Sequence, residues 1–196
     1  MDISIVIPLL NEEESLPELA AWIERVVIGL NFCPFAKAVY VKDQIRYVVS
    51  HAQNSETLLD DLERELRILA QATPQAVETT LLIHSQVLTE FLDYNDFLAV
   101  GDAAIERFGL TGVLQIASFH PAYQFAGTTT HDVENYTNRS PYPMLHLLRE
   151  ASITAIGTDP DALLEIPRRN VETLRRLGRA KILEMLKAVG EVPSSG

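Results

Sequence analysis

The side chains able to do chemistry in this chain crowd into Val113–Pro143, VLQIASFHPAYQFAGTTTHDVENYTNRSPYP. An apolar strand runs straight into a segment holding His120, Tyr123, Phe125, His131, Asp132, Glu134, Tyr136, Asn138, Arg139 and Tyr142. Long loops on compact domains are functional or disordered, and this aromatic, hydrogen-bonding composition argues against disorder. An imidazole such as His120 titrates near neutrality and serves as a general base or metal ligand. A cysteine becomes a nucleophile only beside a base or the positive end of a dipole. The expected catalytic pair is therefore Cys33 with His120. Against it stands the commonest state of a free cysteine, a small buried apolar residue, which the flanking Phe32 and Phe35 favour.

Arg139 precedes Ser140-Pro141, the order of an N-cap followed by proline at the first helical position. A helix starting there would add free backbone N–H groups to the guanidinium, an anion site. The competing reading pairs Arg139 with Glu134 or Asp132. Tyr123, Asn138, Arg139 and His84 form the expected ligand-binding set. His131, Asp132 and Glu134 read as a helical turn capped by Thr130. As metal ligands, His131 and an acid would have to meet His120, which the spacing permits but does not demand; no HExxH or CxxC spacing supports a metal held by His51, His84 and His120, so metals and cofactors stay unassigned.

The elements that must position these groups alternate. The sequence predicts strands at Asp2–Leu9, Ile45–Ser50, Thr79–Ile83 and Val113–Ser118. Helices are predicted over Ser15–Leu30 with Ser15 as N-cap, from Ser55 through Leu58, Leu62, Leu66 and Leu69, and from Thr89 to Gly109. Another is predicted from Ser140 through Met144, Leu145, Leu147 and Leu148. The last runs from Arg169 to Val189, with Gly178 a weak point inside it. Val48, Leu62, Leu66, Ile83, Leu114 and Ile116 are the predicted core. This is an α/β pattern: a central, mostly parallel sheet covered by helices, with a C-terminal helical segment. The alternative is a split βαβ, ferredoxin-like α+β sandwich. In the parallel arrangement His51, His84 and His120 leave three strands along one edge, where open α/β sheets bind ligands.

At 196 residues the chain fits a single domain over 1–190, with an atypical opening at 1–21 and a flexible tail at 191–196. The hydrophobic fraction of 47% and charged fraction of 22% are those of a soluble globular protein. A net charge of −11 opposes binding to nucleic acid or an anionic membrane, yet permits a small anion held by a local arginine. One cysteine means no internal disulfide, consistent with a cytoplasmic location. The apolar run Ile3–Leu10 is too short to span a membrane and has neither a basic leader nor a cleavage site.

Several long phrases carry a family likeness: VIGLNFCPFAKAV at Val27–Val39, Arg46–Ser50, FLDYNDF at Phe91–Phe97, QIASFHPAYQFAGT at Gln115–Thr128, ENYTNRSPYPMLHLLREAS at Glu134–Ser152, and Ile166–Gly178. Over roughly Trp22 to Gly178 the chain resembles the bacterial family called domain of unknown function 1415. The resemblance implies no activity and no catalytic residues. Asp2–Leu19, DISIVIPLLNEEESLPEL, instead resembles the opening strand and loop of a family 2 glycosyltransferase. Three functions follow as expectations: a small-molecule (anionic ligand) binding protein or enzyme with its site at loop 119–139, an interaction module using the aromatic loop, or a glycosyltransferase-like fragment.

Overall fold

The computed structural model describes residues 12–155 and 160–190. The expected strand Asp2–Leu9 and the tail 191–196 lie outside the described residues. Helix α1 (Glu12–Trp22) passes into a π-helical turn, Ile23–Ile28, so the helix begins before Ser15 rather than at it. Gly29 closes that turn through its N–H to Glu24 O at 2.9 Å. A Cβ at Gly29 would stand 2.3 Å from Arg25 O, so the closure needs glycine. Then follow α2 (Ala36–Val41), β1 (Ile45–Val49), α3 (Ser55–Gln71), β2 (Thr79–Ile83), α4 (Phe91–Arg107) and β3 (Leu114–Phe119). After the loop come β4 (Met144–Arg149), α5 (Glu150–Thr154), α6 (Pro160–Leu177) and α7 (Arg179–Gly190). Asn54, not Ser55, caps α3: its Oδ1 accepts the Thr57 N–H at 2.9 Å. Gly178, at φ +80°, splits the expected last helix into α6 and α7.

One expected helix is a strand. Met144–Arg149 carries apolar residues at consecutive positions, a run that suits a buried strand or a helix face equally. The segment pairs on both sides as a strand, and those two ladders decide between the readings. The sheet order is β1-β2-β4-β3, with β1 parallel to β2 and β4 antiparallel to both its neighbours. The sheet is thus mixed rather than mostly parallel, although β1, β2 and β3 all run the same way. β1-α3-β2 joins adjacent parallel strands. β2-α4-β3 is a split unit with β4 between its strands, so each expected arrangement occupies one half of the fold.

Each face of the sheet buries its own cluster. On one face Leu58, Leu62, Leu66 and Leu69 of α3 meet Leu82, Leu114, Leu145, Leu147 and the α4 residues Tyr94 and Phe97. Val48 and Ile116 pack against this cluster, and Leu62, Leu66, Ile83 and Leu114 are fully buried, as the sequence predicts. Gly101 lets α4 approach, since a Cβ there would come within 2.9 Å of Ile116 Cδ1. Arg149 draws the end of α3 against β4, donating to the carbonyls of Leu69 and Ala72 at 2.7 Å each. The other face holds Leu19, Trp22, Ile23 and Val26 with Leu174, Ile182 and Val189.

Leu66 is 0% exposed at the centre of the first cluster. Leu66→Ala is expected to cost about 2–5 kcal/mol in urea denaturation, the range for a cavity left in a packed core. A loss near zero would contradict the leucine stripe.

Candidate functional site

His84 follows β2 and His120 follows β3, and the common direction of those strands sets both at one edge of the sheet. The His84 N–H donates to Pro143 O at 3.0 Å and the His120 N–H to Asn138 O at 3.2 Å. Both side chains are buried against Tyr94, with ring centroids 5.7 and 5.1 Å away. His84 Nδ1–H donates to Val87 O at 2.9 Å, leaving a lone pair on Nε2. His120 Nδ1 accepts from the Ala122 N–H at 3.0 Å, which puts the proton of the neutral ring on Nε2. Both Nε2 atoms are buried without a hydrogen-bond partner among the described residues. Burial pushes His84 down to about 4, against the opposing Val87 carbonyl. It lowers His120 too, against the carbonyls of Leu88 and Thr89 and the Glu90 carboxylate. His51, after the outer strand, is exposed.

The loop from Phe119 to Arg139 is a built structure. Arg139 Nε donates to Tyr123 O at 3.0 Å and Nη2 to Thr130 O at 2.9 Å, with the guanidinium 4.5 Å above the Tyr136 ring. Nε and Nη2 are thus committed to the loop backbone. With β4 in place of a helix, the expected helix-start anion site does not form around it. Glu134 pairs instead with Arg175 at 3.1 Å. Asp132 accepts from the Thr129 N–H at 2.8 Å, a bond that holds its carboxyl below the usual range. Asn138 Nδ2 donates to Ser118 O at 3.0 Å. Tyr123 packs between Phe91 and Phe125, at 5.1 and 5.0 Å, and the three rings are half-buried.

Cys33 stands elsewhere. Phe119 and His120 are consecutive in extended chain and point to opposite faces. The His120 ring joins Tyr94 and Phe91 of α4, while Phe119 turns to Trp22, 5.7 Å away on the α1 face. Two cavities lie on this second face, about 470 and 580 Å³. Val27, Phe32, Cys33, Phe119 and Pro167 line both, so the cavities adjoin along a wall that carries the thiol. The structure brings Cys33 and Asn138 to one cavity and leaves His84, His120 and Tyr123 outside both.

The imidazole that shares a cavity with Cys33 is His146, on β4. Thr79 Oγ1 donates to Leu147 O at 2.6 Å and so accepts from His146 Nε2–H at 2.7 Å. The Nδ1 lone pair is left without a partner among the described residues. Three further polar atoms of lining side chains are unsatisfied, one of them Arg149 Nε. Trp22 Nε1, in a side chain 3% exposed, has no acceptor, and Asn170 Oδ1, in one 8% exposed, has no donor among the described residues. Asn170 Nδ2 is held by Phe32 O at 2.8 Å. Sequence reasoning missed all four. The signal for His146 was the alternation Met144, His146, Leu148, which places it on the cavity face once the segment is a strand. Among the described residues no group of three His, Cys, Asp or Glu side chains could hold a metal ion. No helix among them is long and apolar enough to cross a membrane.

Residues 15–184 match the family model described as protein of unknown function (DUF1415). The chain belongs to the DUF1415 family. Neither a curated protein nor a solved structure matches it. The matched span includes every cavity residue named above, whereas most of the glycosyltransferase-like opening precedes it and nothing supports that likeness.

In this DUF1415 protein both His84 and His146 are pushed down to about 4 by burial. In the unfolded chain they titrate near 6.5. The unfolded state therefore binds more protons between these values, and stability rises with pH there. The contribution is fully present above about pH 6.5 and is lost as pH falls toward 4, by about 1.4 kcal/mol per pH unit for each group. Urea melts at pH 6.5 and 5 are expected to show this loss, with His146→Gln reducing it. Equal stability at the two values would show that neither imidazole is buried neutral.

Arg139→Ala is expected to destabilise the fold by about 1–3 kcal/mol, because it strips donors from two loop carbonyls. Thermal denaturation checks this, and an unchanged midpoint would return the guanidinium to a ligand.

Proposed function

We propose that this protein binds a small molecule, with an apolar body and a hydrogen-bonding end, in the joined cavities around Cys33. One observation carries the reading: the side chains lining these cavities include a buried donor, Trp22 Nε1, and a buried acceptor, Asn170 Oδ1, that have no partner among the described residues. A buried polar group left unsatisfied costs about 1–3 kcal/mol, so an occupant that pairs with both recovers that energy on binding. The volumes fall within the range of small-molecule sites, which join apolar walls to a few placed polar groups. Loop 119–139 takes part as one wall, through Phe119, Phe125, Glu134, Thr137 and Asn138. Arg175 of α6, which lines the same cavity, is countered by Glu134, which favours a neutral or weakly polar end over a full anion. If the bound molecule reacts, Cys33 is the nucleophile at hand and the Nδ1 lone pair of His146 the base in the same wall.

Trp22 is the single tryptophan, so its emission reports the cavity directly. Titration with medium-chain fatty acids, their amides and aromatic amides is expected to shift that emission and to slow iodoacetamide labelling of Cys33. Ala117 also lines the cavity of about 470 Å³. Ala117→Phe should abolish both effects while retaining the circular dichroism of the fold. Ligands that act equally on Ala117→Phe would place the site elsewhere, and a panel without effect on either signal would remove the reading.

A further inference from the structure

The charge of this chain is unevenly placed. It carries −11 overall, yet Arg168, Arg169, Arg175, Arg176 and Arg179 fall within one stretch that holds a single acid, Glu172. Most of these guanidiniums are spoken for. Arg168 pairs with Glu165 at 2.8 Å, Arg175 with Glu134 at 3.1 Å, and Arg179 lies 3.5 Å from His131 Nδ1. Arg169 and Arg176 differ. With Thr173 they sit at i, i+4 and i+7 on α6, one helical face. That face borders a separate cavity of about 500 Å³, whose opposite side is the turn Gly29–Asn31. Arg169 Nη2 donates to Asn31 O at 3.0 Å, which fixes its side chain across the cavity and leaves its other donors uncommitted. Arg176 makes no hydrogen bond or ion pair among the described residues. Glu172, four residues before Arg176, acts on Arg168, and no ion pair joins it to Arg176 among the described residues.

We propose that Arg169, Thr173 and Arg176 form an oxyanion site for a phosphoryl group, distinct from the cavities around Cys33 and independent of what they bind. The physical case is one of number and shape. Two planar guanidiniums offer forked donor pairs, and the Thr173 hydroxyl offers one more donor. A phosphoryl group presents three acceptor oxygens, enough to engage all three side chains, whereas a carboxylate presents two. An otherwise acidic surface would repel anions, so an arginine left without a counter-charge in a concavity is the place where one can stay.

Calorimetry on the full chain with inorganic phosphate, phenyl phosphate and benzoate tests this. Both phosphates are expected to bind, benzoate much more weakly, and Arg176→Gln should weaken phosphate binding at least tenfold. Arg176 has no structural partner to lose, so this variant keeps the fold. Arg168→Gln, outside the cavity, should leave binding unchanged. Cosedimentation with phosphatidylglycerol and phosphatidylcholine vesicles separates the sources. Binding to the anionic vesicles alone, lost in Arg176→Gln, with no response to phenyl phosphate, would assign the phosphoryl group to a lipid headgroup. Absence of binding to every phosphate probe, equal binding by Arg176→Gln, or benzoate as tight as phenyl phosphate would overturn the proposal.

Discussion

The hydroxyl of Tyr94 holds the middle of the sheet in place. It donates to Met144 O and accepts from the Phe119 N–H, each at 2.9 Å, and the side chain is fully buried. Met144 is where β4 enters the sheet, paired with Ile83 on one side and Phe119 on the other. One buried group on α4 thus fixes a helix, a strand end and the start of the central antiparallel strand. Burial also holds the phenol well above its ordinary range, which keeps it a neutral donor. With β4 fixed, His84 and Asn138 reach the backbone partners that close this edge, at Pro143 O and through His120 N–H.

That constraint divides the sheet into two unlike faces. The α3 and α4 side is packed, with a leucine stripe of helical period meeting alternate strand residues. The other side is roofed by α1 with its π turn and by α6 and α7, and this roof leaves space. Arg169 and Asn170 of α6 grip the Asn31 and Phe32 carbonyls, so the Asn31–Cys33 segment is held away from the sheet rather than collapsing onto it. The space beneath is lined by Cys33, His146 and Trp22. A packed face gives the fold its stability and lets the opposite face stay open.

Much of this was legible in the sequence. The leucine spacing of α3 gave its buried face, and βαβ alternation placed His84 and His120 at one edge even though the sheet is mixed. What failed were inferences resting on a local signal that a long-range contact overrides. Ser140-Pro141 has the chemistry of a helix start, but Met144–Leu148 gains ladders on both sides as a strand and the local preference loses. Two consequences followed. Arg139 was deprived of its helix terminus, and His146 was hidden among what read as helical leucines. The pairing of Cys33 with His120 failed for a plainer reason. Sequence proximity to an edge says nothing about which face a side chain takes, and the alternation of Phe119 and His120 sends them opposite ways.

The two edge histidines show why reactivity is better sought on the cavity face. His84 offers a bare Nε2 lone pair and His120 an Nε2–H, on either side of one tyrosine ring, and neither meets a partner among the described residues. A general base must reach its proton within about 2.6–3.2 Å. These nitrogens are sealed behind Phe91 and Tyr94, and burial favours their neutral forms. Their backbone bonds end two strands where a charge would be costly, a structural duty that requires them not to protonate. His146 is neutral for the same reason, but its free nitrogen belongs to a side chain that lines a cavity. An imidazole kept neutral beside open volume is a hydrogen-bond acceptor available to whatever enters. The same imidazole packed among aromatic rings is only part of the core.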